Sequence, residues 1–256
     1  MTLARAIASG NPADLPSRRD EDWRWTDIAG LIRELPPVSP EGTADGQGPF
    51  DALADEVVTI VNGRGPGALT IAGQHTLALR FVSSSEGTSH AGAFHISVDD
   101  GAQLTLLESY EGQAAGYLAN ASVSLDIAQG ARVERIVLAD DAEDAVSVSQ
   151  ARVTLAPGAS FAQTVLTSGA RRQRLETHLI HPGAGASARM DGGYLIAARR
   201  HGDITTVVDH VGPDGTTSEL IKGVVKDQAR AVFQGRILVE KGSDGTDARL
   251  GHHALI

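Results

Sequence analysis

Gly101-Ala-Gln-Leu104, Gly130-Ala-Arg-Val133 and Gly158-Ala-Ser-Phe161 are three copies of one tetrad, Gly-Ala-x-apolar, followed by a degenerate fourth, Gly183-Ala-Gly-Ala186. Their glycines stand 29, 28 and 25 residues apart. Self-similarity at a period of roughly 20 to 50 residues marks an array in which each repeat buries its apolar face only by stacking on the next. Between the tetrads lie short runs rich in Val, Ile, Leu and Thr and almost no helical periodicity, so the fitting unit is one coil of a parallel β-helix. In such a coil Gly makes the tight corner, Ala keeps it slim, and the apolar residue opens a strand whose inward side chains stack at about 4.8 Å.

Further strands are read from Val57–Val61, Leu104–Leu107, Val123–Ile127, Val133–Leu138, Val146–Ser149 and Phe161–Leu166. Ten aromatic residues in 256 suit a narrow aliphatic core. An antiparallel sandwich, with turn signals about every 8 to 12 residues, is the competing architecture.

Residues 1–50 read differently, as a helical region followed by a linker, with the β-helix core occupying 51–256. Thr2 caps a short helix over Leu3–Ser9 that Gly10 stops. Ser17-Arg-Arg-Asp20 has capping-box spacing ahead of a second helix, in which Ile28, Leu31, Ile32 and Leu35 form an apolar stripe. Pro36-Pro37 ends that helix, and the stretch 36–49 is a Pro- and Gly-rich loop.

Composition excludes several chemistries. The chain has no Cys, which removes disulfides, thiolate metal sites and Cys nucleophiles. Its net charge of -10 argues against binding a nucleic-acid backbone, the densest basic cluster being Arg171, Arg172 and Arg174. No apolar run is long enough to span a membrane, and the N-terminus makes a poor signal peptide, so a cytoplasmic location is expected. There is no phosphate-binding Gly-x4-Gly-Lys-Ser/Thr loop and no Gly-x-Ser-x-Gly elbow. Gly183-x-Gly185-x-x-Ala188 matches a dinucleotide fingerprint by letter but precedes a strand pattern where a helix is required.

Nine histidines remain as metal ligands. Strand alternation sets His178 and His181 on opposite faces, and likewise separates Asp209 from His210 and His252 from His253. The carboxylates Asp203, Asp209, Asp214 and Glu219 cluster in sequence, which keeps open a calcium-dependent, β-helical polysaccharide lyase. A self-associating structural β-helix is a third reading.

The segments Asp203-Ile-Thr-Thr-Val-Val-Asp-His210, Gly212-Pro-Asp-Gly-Thr-Thr-Ser-Glu-Leu-Ile-Lys-Gly223, Ala229-Arg-Ala-Val-Phe-Gln-Gly-Arg-Ile-Leu-Val239 and Thr246-Asp247 occur in that order. This succession resembles the core of the SufB/SufD family of iron–sulfur cluster assembly proteins. Pro16-Ser-Arg-Arg-Asp-Glu-Asp-Trp-Arg-Trp-Thr-Asp27 resembles the family's N-terminal motif and favours the SufD branch. The resemblance implies a mainly β chain, a right-handed parallel β-helix with a small N-terminal helical region. It implies a non-catalytic scaffold that pairs with SufB and acts with the ATPase SufC. No cofactor is then held firmly by this chain alone, and an iron–sulfur cluster sits at an interface shared with SufB. His210, His252 and His253 are the candidate imidazoles for that site. Phe233, Gly235, Ile237, Val239, Thr246 and Asp247 are the candidate partner contacts, available to SufB or to a second copy of the chain. The family's later Ala-Asp-Asp-x-x-Cys-x-His-Gly motif and C-terminal helical domain have no counterpart in these 256 residues, as in a short or truncated form. Docking of SufC is therefore expected to be weak or to run through SufB.

Overall fold

The computed structural model describes residues 2–256 and consists of two parallel sheets wound from one alternating series of strands. The first sheet contains β1 (Glu56–Val61), β3 (Gln74–Ser83), β5 (Gln103–Gly112), β7 (Arg132–Asp140), β9 (Ser160–Thr167), β11 (Ser187–Ile196), β13 (Thr216–Val225) and β15 (Asp247–Leu255). The second contains β2 (Ala68–Ile71), β4 (Ser89–Val98), β6 (Leu118–Ile127), β8 (Val146–Leu155), β10 (Arg172–His181), β12 (His201–His210) and β14 (Arg230–Val239). Each strand pairs with the strand two places along the chain, always in parallel, which is the connectivity of a β-helix and excludes the antiparallel sandwich.

The tetrads sit at the corners as the sequence requires. Gly101, Gly130 and Gly158 have φ of 68°, 68° and 69°, the left-handed region that an L side chain adopts only with strain. The alanines that follow them are at most 2% exposed and fill the inside of each turn. The fourth copy is displaced by two residues from its reading. Ser187 pairs with Ser160 and Ala188 with Phe161, so the structural tetrad is Gly185-Ala-Ser-Ala188. Gly183 instead lies where a Cβ would strike the carbonyl of Pro213 in the next coil, so its lack of a side chain permits that close approach.

Inward side chains stack in columns. Ile96, Leu125, Val153, Leu179 and Val208 follow one another in register, all fully buried, and the column ends on Ile237 of β14. A column of the first sheet is mixed: Leu77, Leu106, Arg135, Gln163, Met190, Glu219, Leu250. There Arg135 forms a buried ion pair with Glu108, at 2.7 and 2.8 Å, and donates to Gln163 at 2.6 Å.

The N-terminal region packs on the outer face of the second sheet. Helix α1 (Leu3–Ser9) has its N-cap at Thr2, whose hydroxyl accepts the Arg5 N–H, and stops at Gly10 with φ 65°. It buries Leu3, Ala6 and Ile7 in a cluster with Leu118, Val146 and Val148. The second helix expected over the Ile28–Leu35 stripe does not form. Ser17-Arg-Arg-Asp20 closes a capping bond, Asp20 accepting the Ser17 N–H, but it opens only a single 3-10 turn, Glu21–Trp23. Beyond that turn the Ile28 and Ala29 amides bond back to the Pro16 carbonyl, and Asp27 caps the Gly30 amide. These bonds commit to tertiary and local turn partners the groups that a helix would use, while Ile28 is still buried and Leu31, Ile32 and Leu35 pack around it.

Thr26 explains the irregular course. Its buried hydroxyl donates to the Asp203 carboxylate on β12, which also pairs with Arg174 at 3.1 Å. The Arg174 guanidinium lies 4.5 Å over the Trp23 ring and donates to the Asp22 carbonyl, strapping the chain start across β10 and β12. No helix among the described residues is long and apolar enough to cross a membrane.

Candidate functional site

Among the described residues the last coil has no coil stacked on its far side. β14 pairs only with β12, and β15 only with β13, so each carries one unpaired backbone edge among the described residues. A turn spanning Glu240 to Thr246 joins them. The Ser243 hydroxyl donates to the His210 carbonyl and the Thr246 hydroxyl to the Ser243 carbonyl, while Gly242 and Gly245 take φ of 95° and 77°.

Alternation turns Phe233, Gly235, Ile237 and Val239 toward the interior side of β14, as their register with Ile204, Thr206, Val208 and His210 shows. Ala248, Leu250 and His252 face them from β15. In the preceding coil His210 and Glu219, the register partners of Val239 and Leu250, are 0% and 4% exposed, whereas Val239 is 56% and Leu250 42% exposed. The core surface thus continues onto the end of the solenoid. Gly235 makes room for Leu250, whose methyl would overlap a Cβ there. The Phe233 ring lies 5.1 Å from that of His252, whose Nε2 shares a 2.8 Å hydrogen bond with the Tyr194 hydroxyl. The four residues read from sequence as contacts on β14 therefore share one face. Thr246 closes the turn, and Asp247 opens β15 with its carboxylate on Arg249. Leu250 completes the face. Its sequence signal is the alternation Ala248, Leu250, His252.

Directly beneath Val239 and Leu250 the interior is polar. Glu219, in register with Leu250, accepts the Thr206 hydroxyl at 2.5 Å through one oxygen, while its other is buried without a partner. Burial pushes the Glu219 carboxyl above its ordinary range, opposed by the Thr206 bond. His210, in register with Val239, stacks on His181 at 4.5 Å and bonds the Thr217 hydroxyl at 3.1 Å. Burial pulls His210 down and, with His210 beside it, pulls His181 to about 4.

The three candidate imidazoles do not converge. His210 lies one coil inside, His252 faces the end of the interior, and His253 points outward over an apolar groove that includes Leu166, Leu195, Val224 and Leu255. Among the described residues no three His, Asp or Glu side chains are placed to hold a metal ion. The acidic run is likewise dispersed. Asp203 is locked to Arg174, Asp209 pairs with His178 at 2.6 Å on the outer face, Asp214 occupies a turn at φ 59°, and Glu219 is internal. That arrangement removes the geometric basis of the calcium-dependent lyase.

Residues 81–256 match the family model described as SUF system FeS cluster assembly, SufBD core domain. Among curated proteins the chain is similar to an iron–sulfur cluster assembly SufBD family protein of Mycobacterium leprae (strain TN). The two are 26% identical over 270 residues, covering 91% of this chain and 67% of that protein. A protein of the same description from Mycobacterium tuberculosis (strain ATCC 25618 / H37Rv) is 22% identical over 270 residues, covering 91% and 66% respectively. One from Synechocystis sp. (strain ATCC 27184 / PCC 6803 / Kazusa) is 22% identical over 170 residues, covering 63% of this chain and 38% of that protein. The chain thus spans about two thirds of the length of the mycobacterial relatives.

Proposed function

The chain belongs to the SufBD family of the SUF iron–sulfur cluster assembly system, and on that premise we propose that it is a SufD-like, non-catalytic scaffold subunit that pairs with SufB and works with the ATPase SufC. The observation that carries this reading is the end face: the buried column from Ile96 to Val208 runs out onto Ile237, flanked by exposed Val239 and Leu250 and two unpaired strand edges. Unpaired edges recruit strands, and an exposed core surface of this kind is covered by a partner of matching shape. A SufB subunit carrying a solenoid of its own supplies both. The N-terminal Asp22-Trp-Arg-Trp-Thr26 motif, strapped to β10 and β12, supports the SufD branch in particular.

In this reading residues 1–50 act as the strap and 51–256 as a rigid core, and the nascent cluster is cargo. With no thiol in the chain, its thiolate ligands come from SufB, and this subunit shapes the shared site. His252, at the end face and bonded to Tyr194, is the imidazole best placed to reach that interface. The core transmits the ATP-driven movement of SufC to the interface as one body, because its packed columns leave little room for internal shear.

Co-expression with SufB and SufC, followed by anaerobic cluster reconstitution, tests the proposal. The expected result is a stable assembly containing all three chains with a higher cluster yield than SufB and SufC alone. An unchanged yield together with no co-purification refutes it. Self-association through the same face, read as a dimer without SufB, favours the structural alternative.

A further inference from the structure

The outer face of the second sheet carries a row of basic side chains that the scaffold role does not use. His201 is in register with Arg230, and the pairing of Gln173 with Gly202 sets Arg172 on the other side of His201. Three adjacent strands therefore present Arg172, His201 and Arg230 side by side. One step further along, Arg174 faces Asp203 and the charges are paired.

Like charges on neighbouring strands repel, and no ion pair in this row offsets them. Among the described residues neither Arg172 nor Arg230 has a carboxylate in ion-pair contact, although Arg174 and Arg236 nearby each do. Asp27 is the one carboxylate that acts on Arg172, against Arg230 and Arg171, and its Oδ1 is engaged by the Gly30 amide. One buried donor in the row, Arg172 Nε, has no hydrogen-bond partner. His201, 2% exposed, donates its Nε2 proton to the Trp25 carbonyl at 3.3 Å, so its Nδ1 carries a lone pair and no proton. Burial and the adjacent Arg172 pull His201 down to about 4, so at pH 7 the charge of the row resides on the two arginines.

The row is open to solvent on one side. Trp25 is 47% exposed, with the Arg24 and Arg230 guanidiniums 5.2 and 5.8 Å from its ring. Arg172 and Arg230 stem from strands about 10 Å apart, a span over which two long side chains converge on one tetrahedral group. Concentrated positive charge on a chain of net charge -10 runs against the overall balance.

We propose that Arg172 and Arg230, on either side of His201 and roofed by Trp25, form a binding site for an oxyanion of the phosphate class. The anion takes paired N–H donors from the two guanidiniums and relieves their mutual repulsion. The proposal is independent of the SufB pairing, since it concerns the outer face at the N-terminal strap and not the end of the solenoid.

The test is titration of the full chain with inorganic phosphate, pyrophosphate and ATP at constant ionic strength, by calorimetry and tryptophan fluorescence. Saturable binding of one equivalent with altered Trp emission is expected, weakened at least about tenfold in R172Q and in R230Q. R132Q, at an exposed arginine of the first sheet, should bind as the parent does. Equal binding of pyrophosphate and ATP identifies a free oxyanion as the ligand, and tighter binding of ATP identifies a nucleotide's phosphates; either supports the site. Thermal melts guard against misfolding: in chloride R172Q should melt at or above the parent, and phosphate should raise the parent's midpoint but not that of R172Q. A response that never saturates, or affinities of R172Q and R230Q equal to that of R132Q, overturns the proposal.

Discussion

Replacing Glu108 by Gln tests whether the polar stretch of the solenoid interior is held by a charge pair. Glu108 is 0% and Arg135 3% exposed by side chain, and the guanidinium makes two bonds to the carboxylate, at 2.7 and 2.8 Å. Burial works against the Arg135 charge, but Glu108 outweighs it and holds the guanidinium protonated. E108Q leaves that cation buried without its counterion. Breaking a buried pair from one side costs about 3 to 5 kcal/mol, a large part of the ~5 to 15 kcal/mol that stabilises a typical domain. The acceptor of the Tyr110 hydroxyl is weakened by the same change. The columns themselves supply the control. Leu106 and Met190 flank the Arg135 and Gln163 positions of one column, and Leu79 and Val137 flank Glu108 in the next, all four fully or nearly fully buried. The double variant E108L/R135M therefore extends apolar columns already present and should recover to within about 2 kcal/mol of the parent. Urea unfolding with an unchanged m-value reads both quantities. An E108Q cost below about 1 kcal/mol, or a double variant no more stable than E108Q, would show that the charge pair does not hold this stretch.

Two pH-dependent outcomes follow from the layer beneath the end face. Glu219 is pushed up by burial, so the fold favours its protonated form and bears a penalty that is absent below the ordinary carboxyl range and complete above the folded value. E219Q should accordingly raise the melting temperature at pH 8 and leave it unchanged near pH 4; a difference independent of pH contradicts this. His181 has the opposite linkage. Held near 4 by burial and by His210, it costs nothing above its ordinary 6.5 and destabilises the fold progressively as pH falls toward 4, by roughly 2 to 3 kcal/mol. H181Q should flatten that part of the acid-unfolding profile, and a profile identical to the parent's argues against a neutral buried imidazole.

The corners were legible because a left-handed backbone followed by a cramped interior position leaves a chemical signature, Gly then Ala, that survives three coils. It blurred at the fourth, where Gly183 has a second role against Pro213 and only the strand register identifies Gly185 as the corner. Parity arguments about His178, His181 and His210 held, since side-chain alternation is local: His178 pairs with Asp209 outside and His181 stacks on His210 inside. The Ile28–Leu35 stripe shows the limit of periodicity. Apolar spacing located Ile28 and the side chains that pack around it, but the backbone path was decided by bonds to Pro16 and Asp203 that no local window contains. The row Arg172, His201, Arg230 was illegible for the same reason, because residues some 30 positions apart become neighbours only when the coil length is known.

The role proposed for the end face is read from the affinity of the chain for SufB, by titration calorimetry, compared with that of V239D. Val239 is 56% exposed in the free chain, so the substitution should leave the melting temperature within about 2 °C of the parent. Burying an unpaired carboxylate in an apolar interface costs several kcal/mol. A one-to-one complex is expected for the parent, and binding at least about a hundredfold weaker for V239D. Equal affinities, or a parent chain that binds no SufB at all, would contradict the proposed role.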